Sequence, residues 1–313
     1  MINTLAVALV PIFAGLLLGY FAGLRGTMDN QNVRTLITFV MSFAIPCVLF
    51  SAVARTPFAE LRRLGTTALV LAIVYVALYA GSFFWVRSRE KLRPADSSVI
   101  ALTLGFPNSA AVGLPLLVSV FGPESTVTVA TSLAIGAVTV SPLTLAILEA
   151  TRSKEGLSLK ALTLSLLRSF KKAIVWAPLL GLGFSFVNVN LPSFLARSLD
   201  VMGSAADGSA LVLTGLVVSS QKFEIGSDTL IATALKNVLQ PLLALGMAWL
   251  IHLPLQQTRY VTLISAMPGG FFGAVFGKSY EASPRLLSSS LIASYVTGIG
   301  TLAAWIVIVH HLG

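Results

Sequence analysis

Leu104-Gly105-Phe106-Pro107-Asn108-Ser109-Ala110-Ala111-Val112-Gly113-Leu114-Pro115 is the stretch whose reading decides the fold. It sits in the middle of an apolar run, 98–120, long enough to cross a hydrocarbon core about 30 Å thick. Proline has no N–H to give the preceding turn, and its ring collides with that turn's carbonyl. A helix entering at residue 98 therefore kinks or opens at Pro107. In lipid an opened backbone is tolerated only where protein buries it or a wet cavity receives it. The pattern returns in a second apolar run, 260–278, as Ile264-Ser265-Ala266-Met267-Pro268-Gly269-Gly270-Phe271-Phe272-Gly273. Each run places a proline beside small or polar residues near its middle.

Further apolar runs flank these two. Spans are expected at 2–24, 33–54, 66–86, 98–120, 126–149, 172–190, 203–221, 230–252, 260–278 and 286–309. Of the 313 residues, 56% are hydrophobic and only 11% charged, and the mean hydropathy is +0.88. A soluble domain carries about a quarter charged residues, so that class is excluded. The expected fold is an all-α polytopic membrane protein with ten transmembrane helices. The excess of 21 Lys+Arg over 12 Asp+Glu is concentrated in short loops, where it fixes topology and meets lipid headgroups. The bilayer is the expected partner, and nucleic acid is not. Sixteen of these basic residues fall in one set of alternate loops and five in the other. The positive-inside rule then sets both termini in the periplasm of a multi-pass inner-membrane chain. Trp85 and Trp176 near inner ends, with Trp249 and Trp305 near outer ends, read as interfacial anchors. The run 2–24 lacks a basic n-region and an Ala-x-Ala site, so it reads as a first span rather than a removable signal.

Residues 1–150 read as a first five-helix repeat, 151–171 as a basic cytoplasmic linker and 172–313 as a second five-helix repeat. With an odd number of spans per half, the second repeat enters the membrane inverted. In the linker, Leu159, Leu162, Leu166, Leu167 and Phe170 recur at helical spacing. An in-plane amphipathic helix and a plain solvated linker both fit that pattern. Matched interruptions in inverted halves are the best sequence pointer to a carrier's binding site. Span four runs from inside to outside and span nine runs back. Proline suits the first position of a helix, so half-helices beginning at Pro107 and Pro268 are expected to aim their N-termini at the midplane from opposite sides. Each end carries roughly half a positive elementary charge plus unpaired N–H groups. Two such ends together make an anion site without lysine or arginine.

Phe106-Pro107-Asn108-Ser109-x-x-x-Gly113-Leu114-Pro115 resembles the auxin efflux carrier family, whose plant members export auxin. Pro46 within Ala44-Ile45-Pro46, and Lys236 with Pro241, fit the same pattern, and the resemblance runs end to end. Ser209-Ala210-Leu211-Val212-Leu213-Thr214-Gly215-Leu216, Ser219-Ser220-Gln221 and the run Met267 to Gly273 resemble the malonate-carrier branch. The resemblance implies a 5+5 inverted repeat with two broken, crossing helices in spans four and nine. It also implies a homodimer built on spans one, two, six and seven, past which the remaining spans move like an elevator. The implied activity is secondary transport of a small organic anion, malonate or a similar carboxylate. In the family the asparagine after the span-four proline contacts substrate, and Asn108 holds that position. Gly269-Gly270 stand where plant relatives carry another asparagine, which leaves that half of the site to backbone N–H groups and weakens any expectation of auxin itself. The expected substrate lining is Pro107, Asn108, Ser109, Pro268, Gly269, Gly270 and Phe271, with Ser42 and Thr214 from the scaffold side. Membrane hydroxyls more commonly bond their own helix.

All twelve acids fall in loops or near span ends, with Asp207 the best candidate for a mid-membrane relay. Coupling is left open between Na⁺ held by unwound carbonyls and protons. No metal site or other cofactor is expected. A phosphate-binding loop is absent, as is any nucleophile with a base at workable spacing, so neither an enzyme nor a primary pump is expected. A carrier of another monocarboxylate or an auxin-like weak acid, an anion channel and a non-transporting receptor are the alternatives.

Overall fold

The computed structural model describes residues 2–28, 30–59, 64–152, 173–188, 191–219 and 225–312. The basic linker and its leucine pattern lie outside them. Helices occupy all ten segments read as spans. They are α1 (Ile2–Leu24), α2 and α3 (Asn30–Phe39, Ile45–Ala54), α4 (Gly65–Arg89), α5 and α6 (Pro94–Gly105, Leu114–Phe121), and α7 and α8 (Thr126–Val138, Val140–Arg152). The second half holds α9 (Ala173–Phe186), α10 (Ser193–Ser219), α11 and α12 (Ser227–Ala234, Gln240–Leu250), α13 and α14 (Leu255–Ser265, Phe272–Ser279) and α15 (Arg285–His310). Among the described residues, five continuous stretches are long and apolar enough to cross a membrane: Thr35–Ala54, Gly65–Arg89, Thr126–Arg152, Ser227–Leu250 and Arg285–His310. The largest difference from expectation is at α10, which starts ten residues before the apolar run because Ser193 to Met202 continue the helix.

Prolines shape the helices in a second way. Pro46, Pro115 and Pro241 each sit two residues beyond a π-helical turn, at Val40–Ala44, Ser109–Gly113 and Leu235–Leu239. A proline cannot donate to the carbonyl four residues back, so the ladder widens by one residue there. The Asn237 carbonyl, which Pro241 leaves without that donor, accepts instead from Trp305 Nε1 at 2.9 Å. This overturns the reading of Trp305 as an interfacial anchor: its indole is 5% exposed and tied to a neighbouring helix. Trp249 and Trp176 are exposed, 60% and 43%, as residues facing lipid headgroups would be.

Helix packing falls into two groups. In one, α1 lies along α10, and α3 packs on both α9 and α10. Gly15, Gly19 and Gly23 space α1 at every fourth residue and let the backbones touch. A Cβ at Gly19 would fall 2.0 Å from the Val212 carbonyl oxygen, and one at Gly215 would fall 2.1 Å from that of Leu16. In the other group α4 packs on α5, α5 on α8 and α14, α12 on α4 and α13, and α11 on α15. Lys236, reckoned among the sixteen loop cations, is fully buried within the stretch Ser227–Leu250.

Candidate functional site

Both predicted breaks exist, and they meet. Helix α5 ends at Gly105, Phe106 is extended (φ −111°, ψ 103°), and the chain resumes as the turn Ser109–Gly113. Helix α13 ends at Ser265, and the helix resumes at Phe272. Pro107 pairs with Gly269 as an isolated antiparallel bridge. Asn108 N–H donates to the Pro268 carbonyl at 3.0 Å, and Gly270 N–H donates to the Phe106 carbonyl at 2.9 Å. Neither proline has an N–H to lose in that pairing. Gly270 is required by the close approach, since a Cβ there would stand 2.3 Å from the Phe106 oxygen.

The half-helices do not begin at the prolines, as the sequence reading expected. Helix resumes two residues after Pro107 and four after Pro268, because residues 107 and 269 adopt the extended pairing first. Nor are the Gly269 and Gly270 N–H groups left for a ligand. Gly269 donates to Ser294 Oγ at 3.0 Å, and Gly270 to the Phe106 and Thr103 carbonyls. On the second half, the N–H groups of Phe272, Gly273 and Ala274 precede the first i→i−4 bond of α14, Val275 to Phe271. They have no intrahelical acceptor.

Side chains pin each break from the flanking helices. Ser109 Oγ lies 2.6 Å from Ser132 Oγ on α7, which lies 2.6 Å from Tyr75 Oη on α4. Across the crossing, Ser294 on α15 donates to Asn237 Oδ1 at 2.7 Å while receiving Gly269 N–H. Asn108 Nδ2 donates to Tyr295 Oη at 2.7 Å, joining the first break to α15. Asn108 and Ser109 are 2% and 1% exposed, so the crossing is closed over in this conformation. Phe106 and Phe272 stack at 5.1 Å with rings 7° apart, and Phe271 stacks on Phe272 at 4.9 Å. Pro107, Asn108, Ser109, Pro268, Gly269, Gly270 and Phe271 are thus gathered in one buried cluster. Ser42 is not among them: it is exposed on the turn Val40–Ala44. The side chains of Thr214 and Asp207 lie outside the described residues.

Tyr75, Ser132, Tyr295, Ser294 and Asn237 were not singled out from sequence. Polar residues at helical spacing inside apolar runs were the available signal, but their partners lie up to 187 residues away. A cavity of about 1360 Å³ opens beyond the crossing, at the end of the molecule expected to face the cytoplasm. Val33 and Ile37 of α2 line one side, and Arg93, Asp96, Arg152 and Arg285 are among the groups on the other. The cavity is thus bordered by α2 and by the ends of α5, α8 and α15, and no residue of the crossing is in its lining.

A family profile described as "Membrane transport protein" (Mem_trans) matches residues 4–306 of a chain with this crossing. The chain belongs to the Mem_trans family, the auxin efflux carrier family. It is thus a multi-pass membrane transporter. It is 28% identical over 95% of both chains to the "Uncharacterized transporter YfdV" of Escherichia coli K12. It is 23% identical, again over 95% of both, to "Auxin efflux carrier component 8" of Arabidopsis thaliana. With the "Putative malonate transporter" of Rhizobium meliloti it shares 24% identity over 94% of this chain and 92% of that one. In Mem_trans terms, the Pro107-Asn108 motif that carried the resemblance is the element that builds the crossing.

Proposed function

We propose that this Mem_trans protein is a secondary carrier of a small carboxylate, malonate being the first choice, across the bacterial inner membrane. The carrying observation is the Pro107–Gly269 pairing. It brings the starts of two half-helices to one place, each with N–H groups and partial positive charge suited to an anion. Asn108 and Ser109 add side-chain donors there, whereas the second break adds only the helix start at Phe272. Corresponding networks, Tyr75–Ser132–Ser109 and Asn237–Ser294–Gly269, hold breaks in matching segments of the two halves, in keeping with a 5+5 inverted repeat.

Transport follows an elevator scheme. The group α1, α2–α3, α9 and α10 serves as scaffold and dimer base, with both termini periplasmic. The other group carries the crossing past it, and the cavity between them is the inner vestibule. The buried state of Asn108 is then one that movement of the carrying group relieves. The test is uptake by proteoliposomes over a panel of mono- and dicarboxylates, with Na⁺ and pH gradients imposed separately. Preloaded substrate should accelerate uptake. Uptake of malonate no faster than through empty liposomes would remove malonate as substrate. Flux indifferent to preloading would favour a pore.

A further inference from the structure

The crossing has a second pole. Two half-helices start there, but two others end there: α5 at Gly105 and α13 at Ser265. Each C-terminal end carries roughly half a negative elementary charge, so together they present about one unit of negative charge inside a low-dielectric region. Lys236 stands against them. Its Nζ donates to the Ser265 carbonyl at 2.9 Å and to Gln240 Oε1, while Gln240 Nε2 donates to the Gly105 carbonyl at 2.8 Å. One ammonium therefore reaches one helix end directly and the other through an amide.

Among the described residues no other charged side chain stands against those ends. Among the described residues the buried charged side chains are Asp96 and Lys236, and Asp96 is paired with Arg93. None of the three ion pairs among the described residues includes Lys236. The last turn of α13 also holds two buried hydroxyls, of Thr262 and Ser265, that make no hydrogen bond. Converging carbonyls with idle hydroxyls beside them are the oxygen-rich surroundings that a small hard cation takes.

We propose that Lys236 is a tethered cation, occupying the place at the crossing where an exchangeable sodium ion would otherwise sit, and that this transporter therefore runs without sodium. The proposal rests on the crossing being the moving heart of the carrier. It does not depend on which carboxylate is carried.

The deciding measurement is thermal unfolding of the purified full-length protein, without substrate, as choline chloride is replaced by sodium chloride at constant ionic strength. The wild-type midpoint should stay within about 1 °C throughout, because no site gains a ligand. Lys236→Ala should unfold lower in choline and climb saturably with sodium. Lys236→Gln, which keeps a hydrogen-bond donor, should behave likewise if the alanine variant does not fold. A saturable sodium shift in the wild type would overturn the proposal. So would a folded K236A or K236Q protein that ignores sodium or matches the wild type in choline. In proteoliposomes, any substrate that supports counterflow should move at rates within about twofold in sodium and in choline, since no ion-binding step is removed. A sodium requirement there would overturn the proposal too, whereas finding no transported malonate would count against the substrate alone.

Discussion

The two breaks solve one problem with different chemistry. The first carries side chains: Asn108 reaches Tyr295, Ser109 reaches Ser132, and a widened turn follows before α6. The second carries almost none. Gly269 and Gly270 bring bare backbone against Phe106 and Ser294, and α14 then starts at Phe272. Where two chains cross this closely, one must give up its side chains so the other can keep them. The first break is therefore where substitutions can tune recognition, and the second is where they break the frame.

The sharpest way to break this comparison is to add one methyl group to each side. At Gly270 a Cβ would press on the Phe106 oxygen at 2.3 Å, a backbone atom that cannot swing away. Gly270→Ala should cost about 1–3 kcal/mol of stability, as overpacking does, and abolish uptake. At Gly113 the nearest atoms to a new Cβ lie 3.6–3.7 Å away, ordinary contact. Gly113→Ala should shift the unfolding midpoint little and leave most of the uptake rate. Equal losses at both glycines would mean that the asymmetry has no mechanical meaning.

Next in size is Asn108→Ala. It removes a buried donor to Tyr295, which costs about 1–2 kcal/mol, and on the proposed reading it also removes a substrate contact. Uptake should drop by more than about tenfold, well beyond what the stability loss explains. Tyr295→Phe takes away only the acceptor and should lose less. Should Tyr295→Phe cut uptake as deeply as Asn108→Ala, Asn108 acts through its position and not by touching substrate.

A smaller pair separates the two supporting networks. Ser294→Ala leaves the buried Gly269 N–H without its acceptor, a cost of about 1–3 kcal/mol. Ser132→Ala leaves Ser109 with the Pro107 carbonyl still in reach at 3.4 Å, so its effect should be nearer 1 kcal/mol. Chemical denaturation of both variants in the same detergent checks the order.

The breaks were legible in the sequence because proline chemistry is local: the missing N–H at Pro107 and Pro268 acts within one turn. Where the helix resumes was not, since that depends on strand-like pairing with a segment 162 positions away in chain, 107 against 269. Lys236 was misread for a related reason. Counting charges by loop assigns a lysine near a span's start to the water, and only the ends of α5 and α13 explain why it is inside. Its position five residues ahead of Pro241 in an apolar run was the available clue, because an ionisable residue within a span is functional by default. Trp305 shows the same limit: an indole near a helix end looks like an anchor until the carbonyl freed by Pro241 appears beside it.

The least effect is expected at the cavity rim, where the two halves meet again. Glu90 follows α4 and Asp228 opens α11, and both line the cavity. A hydrogen bond to the Asp228 carboxylate holds the Glu90 carboxyl above its usual range, helped by partial burial and by the neighbouring negative charge and opposed by Arg89. The bond needs its proton. Its contribution is thus complete at pH below the ordinary carboxylate range and fades as pH rises through the raised value of Glu90. The site is largely open to water, so the effect is small. Glu90→Gln supplies an amide donor at every pH. The variant's unfolding midpoint should therefore vary less between about pH 4 and pH 8 than the wild type's, and at the upper end should equal or slightly exceed it. A midpoint below wild type at the upper end would show that ionised Glu90 serves the rim better, through Arg89, than the shared proton does. The two halves would then be joined at the rim by charge, while the crossing joins them by backbone.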